Sequence, residues 1–396
     1  MTTKYNLLYV NSGFKSGYAK ALYSKLLDSK ILNIKFLFIV KEGLSGTDKI
    51  PHSLKNKMNF RNLDLPDKKI SLNKVGPGLG ILGSIKLCYL LSRFIFKSNF
   101  DALLTSTENP LHTKVCFFWS KFFSKRIIIW TESWYDYPRS SLIGSLYQNL
   151  SKYLLLKADS ILVHGTAQRR YCQYLGISNK KIFTHNFCSE DLEPQVTDSH
   201  YFRNLASSEN KFVILYFSQL FLRKGLSVLI DAFKELDSSI KLKSSLIIAG
   251  KGVDEQVFRK KAVNEKNIKF IGYVSDDQKA NLLSSCDIFV LPSTDFHGQK
   301  EGWGLVINEA ASLSKPIITT DAVGSAYDLV YDNHNGYILE NRNPELLREK
   351  IKKLYNNPDL VKSMGIKSRQ IFTSFNQIVK AVKSIESSVE YSLRIK

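Results

Sequence analysis

Short apolar runs alternate with helix-period segments along the whole chain. Residues 5–10 form an apolar run that stops at Asn11-Ser12-Gly13. A helical spacing follows over 18–27, then a second apolar run over 34–40. Runs at 102–105, 127–131 and 160–163 read as further strands, with helical spacing at 81–96, 113–123 and 142–156. Unbroken apolar runs suit strands buried on both faces, and the helices between them cover such a sheet. Residues 189–211 are polar and aperiodic, and read as a linker. After them the pattern restarts, with strands expected at 212–217, 245–249, 268–271, 288–291 and 316–319. Helices are expected at 225–235, 253–263, 278–284, 305–313 and 343–355, and the tail over 375–393 is helical again. The expectation is an α/β protein of two doubly wound, Rossmann-like domains facing a central cleft. They span 1–195 and 205–374, and a last helix at 375–396 packs back toward the first. Open sheets of this kind bind ligands beyond the carboxyl ends of their strands.

Composition narrows the class. A chain of 396 residues suits two cores rather than one. Hydrophobic content of 44% and charged content of 23% are globular values. No stretch of about 20 apolar residues is free of charge, so no spanning helix is expected. The start of the chain lacks the apolar core of a signal peptide. Cys88, Cys116, Cys172, Cys188 and Cys286 are scattered and in no metal-binding spacing. They suit a reducing cytoplasm and small core positions. The net charge of +20 is uneven. Residues 1–200 hold 28 Lys and Arg against 14 Asp and Glu, while 201–396 hold 28 against 22. That imbalance serves solubility or an anionic partner, such as a membrane surface. Segments 81–97 and 115–126 mix aromatic and basic residues, which fits either an anionic bilayer or core helices with snorkelling lysines. No nucleic-acid motif is visible, and no nucleic-acid partner is expected.

The densest chemistry lies at 301–309, Glu-Gly-Trp-Gly-Leu-Val-Ile-Asn-Glu. A glycine-bearing loop feeding a helix presents backbone N–H groups to a phosphate or sugar. Glu301 stands before that loop, and Glu309 stands one turn into the helix, pointing back toward its start. Arg223 and Lys224 follow the strand at 212–217 and precede Gly225. A planar fork beside a point charge suits a diphosphate, although a solvated basic turn reads the same way in isolation. Two more strand ends carry glycine turns, Gly250-Lys251-Gly252 and Gly272-Tyr273-Val274.

Together these blocks resemble the donor domain of family-4 retaining glycosyltransferases of the GT-B fold, the glycosyl transferases group 1. The resemblance rests on 218–225, 248–252, 270–274 with 285–293, and 301–310, followed by 315–321 and Gly324. It covers roughly 212–357. The first half resembles the family only in its alternation and in the loop from Gly13 to Gly17.

The resemblance implies a metal-independent hexosyltransferase that moves sugar from a nucleotide-sugar to a glycan or lipid-linked acceptor. The setting would be surface polysaccharide or lipopolysaccharide assembly, on the cytoplasmic side, with peripheral membrane contact. No cofactor is expected, because the nucleotide-sugar is a substrate. Domain 1–195 would bind the acceptor and 205–374 the donor. Arg223 and Lys224 would hold the diphosphate and Glu301 would contact the donor sugar. Glu309 would bind the ribose, and backbone at Tyr273 and Val274 would read the base. Gly302, Gly304, Leu305 and Val306 would meet the sugar and phosphates, and Gly13 would let backbone approach from across the cleft. Many members have Gly-Arg where this chain has Ser218-Gln219, and Arg223 is expected to supply that charge. Many also carry a histidine after an N-terminal strand; here the strand leads into Glu132-Ser133-Trp134, and Glu132 or a nearby aromatic would take that place on the acceptor side. His112, His164 and His185 are expected to be structural. A nucleotide-sugar epimerase and a non-catalytic sugar-nucleotide or glycan-binding partner are the alternatives.

Overall fold

The computed structural model describes residues 4–11, 16–41, 59–65, 81–107, 110–136 and 142–395. Among them lie two parallel sheets. The first holds β1 (Tyr5–Asn11), β2 (Leu32–Lys41), β3 (Asn59–Leu65), β4 (Ala102–Ser106), β5 (Arg126–Thr131), β6 (Ser160–Val163) and β7 (Ile182–Thr184). Their order is β3-β2-β1-β4-β5-β6-β7. The second holds β8 (Phe212–Phe217), β9 (Ser244–Ala249), β10 (Ile268–Gly272), β11 (Ile288–Leu291), β12 (Ile317–Thr320) and β13 (Gly336–Leu339). Its order is β10-β9-β8-β11-β12-β13. Both sheets are doubly wound, and each reverses direction beside its first strand, at β1/β4 and at β8/β11. A ligand crevice opens at such a reversal.

The apolar runs earn their positions. Every residue of β4, β9 and β11 is buried, as expected for strands covered on both faces. Helix Ser16–Leu27 covers one face of the first sheet together with helix Ile378–Arg394. The last helix also contacts β4, β5, β6 and β7. Helices Ile81–Phe96, Pro110–Phe122 and Leu142–Lys157 lie on the opposite face. Strands β3, β7 and β13 lay outside the sequence expectation, being short or polar. Helices Thr166–Tyr174 and Pro358–Phe375 were also not anticipated.

The expected linker at 189–211 is corrected by its packing. Leu192, Phe202 and Ala206 are buried in the core of the second sheet. The Ser208 hydroxyl donates to Ser245 Oγ at 2.8 Å, and Arg369 grips Asp191 with two bonds of 2.7 Å. Three apolar residues are too few to set a period, so only packing reveals them. The chain crosses between sheets twice, and the crossings are tied together. Ser189 N–H donates to Asn376 Oδ1 at 2.8 Å, and Asn186 Nδ2 donates to the Phe375 carbonyl at 2.9 Å.

Candidate active site

At the second sheet's reversal, β8 ends at Phe217 and β11 at Leu291. A one-turn 3₁₀ helix, Leu222–Lys224, follows β8. Gly225 then adopts φ +72° before the helix Leu226–Lys234 begins. A Cβ at Gly225 would stand 1.7 Å from the Pro292 carbonyl oxygen after β11. Glycine therefore lets two strand ends meet and holds Lys224 in the crevice. Gly225→Ala is expected to cost about 2–5 kcal/mol, combining left-handed strain with overpacking against backbone. A melting temperature lowered by roughly 5–15 °C would register it. An unchanged melting curve would mean that this junction is not as tight as described.

Glu301 meets both cations. Its Oε2 lies 2.9 Å from Arg223 Nη1 and accepts a hydrogen bond from Lys224 Nζ. Burial pushes the Glu301 carboxyl up, but the charges of Lys224 and Arg223 overcome this and hold it below the usual carboxylate range. Burial lowers the Lys224 ammonium, against the raising effect of Glu301. The Glu301 backbone is fixed as well. Its N–H donates to the Ala322 carbonyl at 2.9 Å, and its carbonyl accepts from Gly324 N–H at 3.1 Å. Gly304 sits at φ +88°, where a side chain would be strained.

The first domain reaches across with the segment after β5. Trp134 Nε1 donates to the Glu301 carbonyl at 3.0 Å, and Lys300 N–H donates to Tyr135 Oη at 2.6 Å. Glu132 lies over Gly302, where a Cβ would approach Glu132 Oε2 to 3.2 Å. Behind it, His164 Nε2 is 3.4 Å from Glu132 Oε1 and accepts from Trp130 Nε1 at 2.8 Å. Gln168 Nε2 donates to the Gly302 carbonyl at 2.9 Å. Thr166 N–H and Oγ1 both donate to Asp328, at 2.9 and 2.6 Å. Among the described residues an open cavity of about 570 Å³ lies beside these contacts. Glu132, Tyr135, Phe187, Arg223, Lys300 and the 301–305 loop line it.

The structure thus brings Glu301, Arg223, Gly302, Gly304, Leu305 and Glu132 to one cavity, with Lys224 bonded to its acid. Val306 opens the short helix Val306–Ser312 just behind. Glu309 is set apart from the cavity wall. Its carboxylate pairs with Lys279 Nζ at 2.7 Å, and burial raises it above the ordinary carboxylate value. Glu309, expected at the same mouth as Glu301, is instead held by the cation of helix Lys279–Ser284 and is not among the residues that line the cavity. Tyr273 is exposed just past β10, while the Val274 side chain is buried in the core. Gly13 lies outside the described residues. His112, His164 and His185 are all buried. Burial, and then the neighbouring His164, lowers His185 well below its ordinary value. Sequence reasoning missed Tyr135 and Gln168, and held Trp134 only as an aromatic near Glu132. Their one signal was position, just beyond the carboxyl ends of β5 and β6.

Two doubly wound sheets with a crevice at the facing strand ends define the GT-B class. Solved structures of that class align over nearly the whole chain. Anabaena HepE in complex with UDP matches with a TM-score of 0.72 at 18% identity, covering 97% of this chain and 99% of that one. Sucrose-phosphate synthase from Thermosynechococcus elongatus matches with a TM-score of 0.75 at 16% identity, covering 96% and 97%. Residues 198–371 match the family model described as glycosyl transferases group 1. An uncharacterised glycosyltransferase of Methanocaldococcus jannaschii is 34% identical over 39% of this chain, which spans 41% of that protein. A second from the same organism is 24% identical over 75% of this chain and 76% of its own length. The capsular polysaccharide biosynthesis glycosyltransferase CapM of Staphylococcus aureus is 31% identical over 41% of each chain.

Proposed function

We propose that this protein is a retaining, metal-independent glycosyltransferase that moves a hexose from a nucleoside diphosphate to a glycan or lipid-linked acceptor. The observation that carries the reading is Glu301 held between Arg223 and Lys224 at the second sheet's reversal, open to a cavity shared by both domains. A buried acid that neutralises two cations marks where a diphosphate would take its place. The acceptor hydroxyl oxygen attacks the anomeric carbon while the bond from that carbon to the phosphate oxygen breaks. The departing diphosphate takes the hydroxyl proton. Negative charge grows on the phosphate beside Arg223 and Lys224, and stabilising such charge is often the largest catalytic contribution. Glu301, released from the cations, faces the sugar. Glu309 is assigned to the ribose, where the Lys279 pair would reorganise, and the backbone at Tyr273 and Val274 to the base. Glu132 is assigned to the acceptor side. The name of the Staphylococcus aureus relative supports surface polysaccharide assembly as the setting. Lipopolysaccharide is a second setting of the same chemistry, and the acceptor would be met from the cytoplasm at a membrane surface.

Thermal melting of the full chain against a panel of nucleotide-sugars, UDP-sugars first, tests this reading. One donor is expected to raise the melting temperature, because ligand at 100 times its Kd adds about 2.7 kcal/mol. That donor should then label a glycan or lipid-linked acceptor. Interconversion of the donor without an acceptor would make the protein an epimerase instead. Binding without turnover across acceptors would make it a sugar-nucleotide-binding partner.

A further inference from the structure

We infer that the flank built by helices Ile81–Phe96, Pro110–Phe122 and Leu142–Lys157 is a docking surface for an anionic bilayer. The inference deepens the reading of a membrane-borne acceptor, but stands on surface chemistry alone. The three helices pack side by side on one face of the first sheet, and Trp119 Nε1 ties the first two through Ser92 Oγ at 2.7 Å. Their inner residues fill the core. Their outer faces carry large apolar side chains where an exposed helix face is normally polar. Ile85, Tyr89 and Phe96 stand out from the first helix, and Phe118 and Phe122 from the second. Leu146, Leu150, Tyr153 and Leu156 stand out from the third. Phe96, Phe118 and Phe122 are 64%, 59% and 66% exposed. The rings run on from helix to helix, Phe96 against Trp119 at 6.3 Å and Phe117 against Tyr153 at 6.4 Å. Large contiguous apolar patches are uncommon on a free soluble surface and mark an interaction site.

Charge selects the occupant. None of the segments 81–97, 110–126 and 142–157 contains an Asp or Glu. They contain Lys86, Arg93, Lys97, Lys114, Lys121, Lys125, Arg126, Lys152 and Lys157. Asp159 meets Lys121 and Arg126, and Asp136 meets Lys152, both from outside those segments. Lys86, Arg93, Lys97 and Lys157 remain exposed beside the rings, with no ion pair among the described residues. Aromatic and aliphatic side chains with basic residues beside them fit the headgroup level of an anionic leaflet. No helix among the described residues is long and apolar enough to cross a membrane, so the flank would lie on the bilayer. All three helices begin at the carboxyl edge of the first sheet, the edge that carries Glu132. Lipid on this flank therefore borders the acceptor side of the cavity.

Sedimentation of the full chain with phosphatidylcholine vesicles, with and without about 30% phosphatidylglycerol, tests the inference. The expected result is sedimentation with the anionic vesicles only, largely reversed by about 0.5 M salt. Phe118→Ser with Phe122→Ser should weaken it at least tenfold, and Lys86→Gln with Lys97→Gln by about 20–30-fold, near fivefold per charge. All four positions are exposed, and circular dichroism checks that the variants fold. Absence of vesicle binding, equal binding to neutral vesicles, or unchanged binding by the phenylalanine variant would overturn the inference. So would a concentration-dependent dimer that the phenylalanine variant abolishes, or binding of duplex RNA without binding of vesicles. The assay contains no sugar donor, so its failure leaves the transferase reading intact, and loss of transfer leaves the docking surface intact.

Discussion

Glu301→Gln is expected to reduce sugar transfer by about 10²–10³-fold, the scale of removing one preorganised polar contact from a transition state. It is also expected to destabilise the ligand-free protein. Without the carboxylate, the buried Lys224 and the quarter-exposed Arg223 face each other uncompensated. Breaking such a pair from one side costs about 3 kcal/mol, the low end of the range because Arg223 retains solvent. A nucleoside diphosphate should then restore the variant more than it stabilises the natural protein, since its phosphates replace the lost acid. Melting curves with and without UDP measure both effects. An equal or smaller shift in the variant would mean that the diphosphate does not bind at these cations.

The pH dependence has a definite sign. Glu301 is held below its ordinary value in the folded protein, after the cations overcome burial. Its contribution to stability is therefore complete above the ordinary carboxylate range and is lost as pH falls through the lowered value. Glu309 is raised by burial, and acts in reverse. Its charged form becomes a burden as pH rises from the ordinary range through the raised value.

Arg223→Ala combined with Lys224→Ala is the second large effect. Each charge-assisted bond to the diphosphate is worth about 1.5–3 kcal/mol. Losing two should lower transfer by about 10²–10⁴-fold, at 1.36 kcal/mol per decade. The same change should invert the acid's pH behaviour. Glu301, buried and without cations, would rise above its ordinary value and lose stability as pH increases. Transfer rates and melting temperatures from pH 4 to 8 report both. More than a tenth of the transfer rate remaining would remove the two cations from the mechanism.

Much of the architecture was legible because apolar periodicity and burial express the same requirement. Strands at 160–163, 212–217 and 288–291 and the helix at 81–96 match their expected bounds residue for residue. Strand β13 was illegible because it opens on Gly336 behind the polar run 332–335, which leaves only Tyr337, Ile338 and Leu339 as an apolar signal. The 189–211 stretch was misread because its contacts are made by single apolar residues far apart. Within the site, Arg223, Lys224 and Glu301 were legible as charged residues beside glycines at strand ends. Their mutual ion pair was not, because 78 positions separate Arg223 from Glu301.

What the sequence determined by itself was the two parallel sheets and the chemical types at their carboxyl edges. A repeating apolar pattern and a glycine-bounded charge are local properties of a chain. What the tertiary structure alone decided was partnership. It set Glu301 against two cations, drew Glu309 away to Lys279, and laid Trp134, Tyr135 and Gln168 over the 300–302 backbone. It also turned three acid-free helices into one exposed flank. Those outcomes depend on which strand ends meet in space, and strand order is set by packing both sheets at once rather than by any local run of residues.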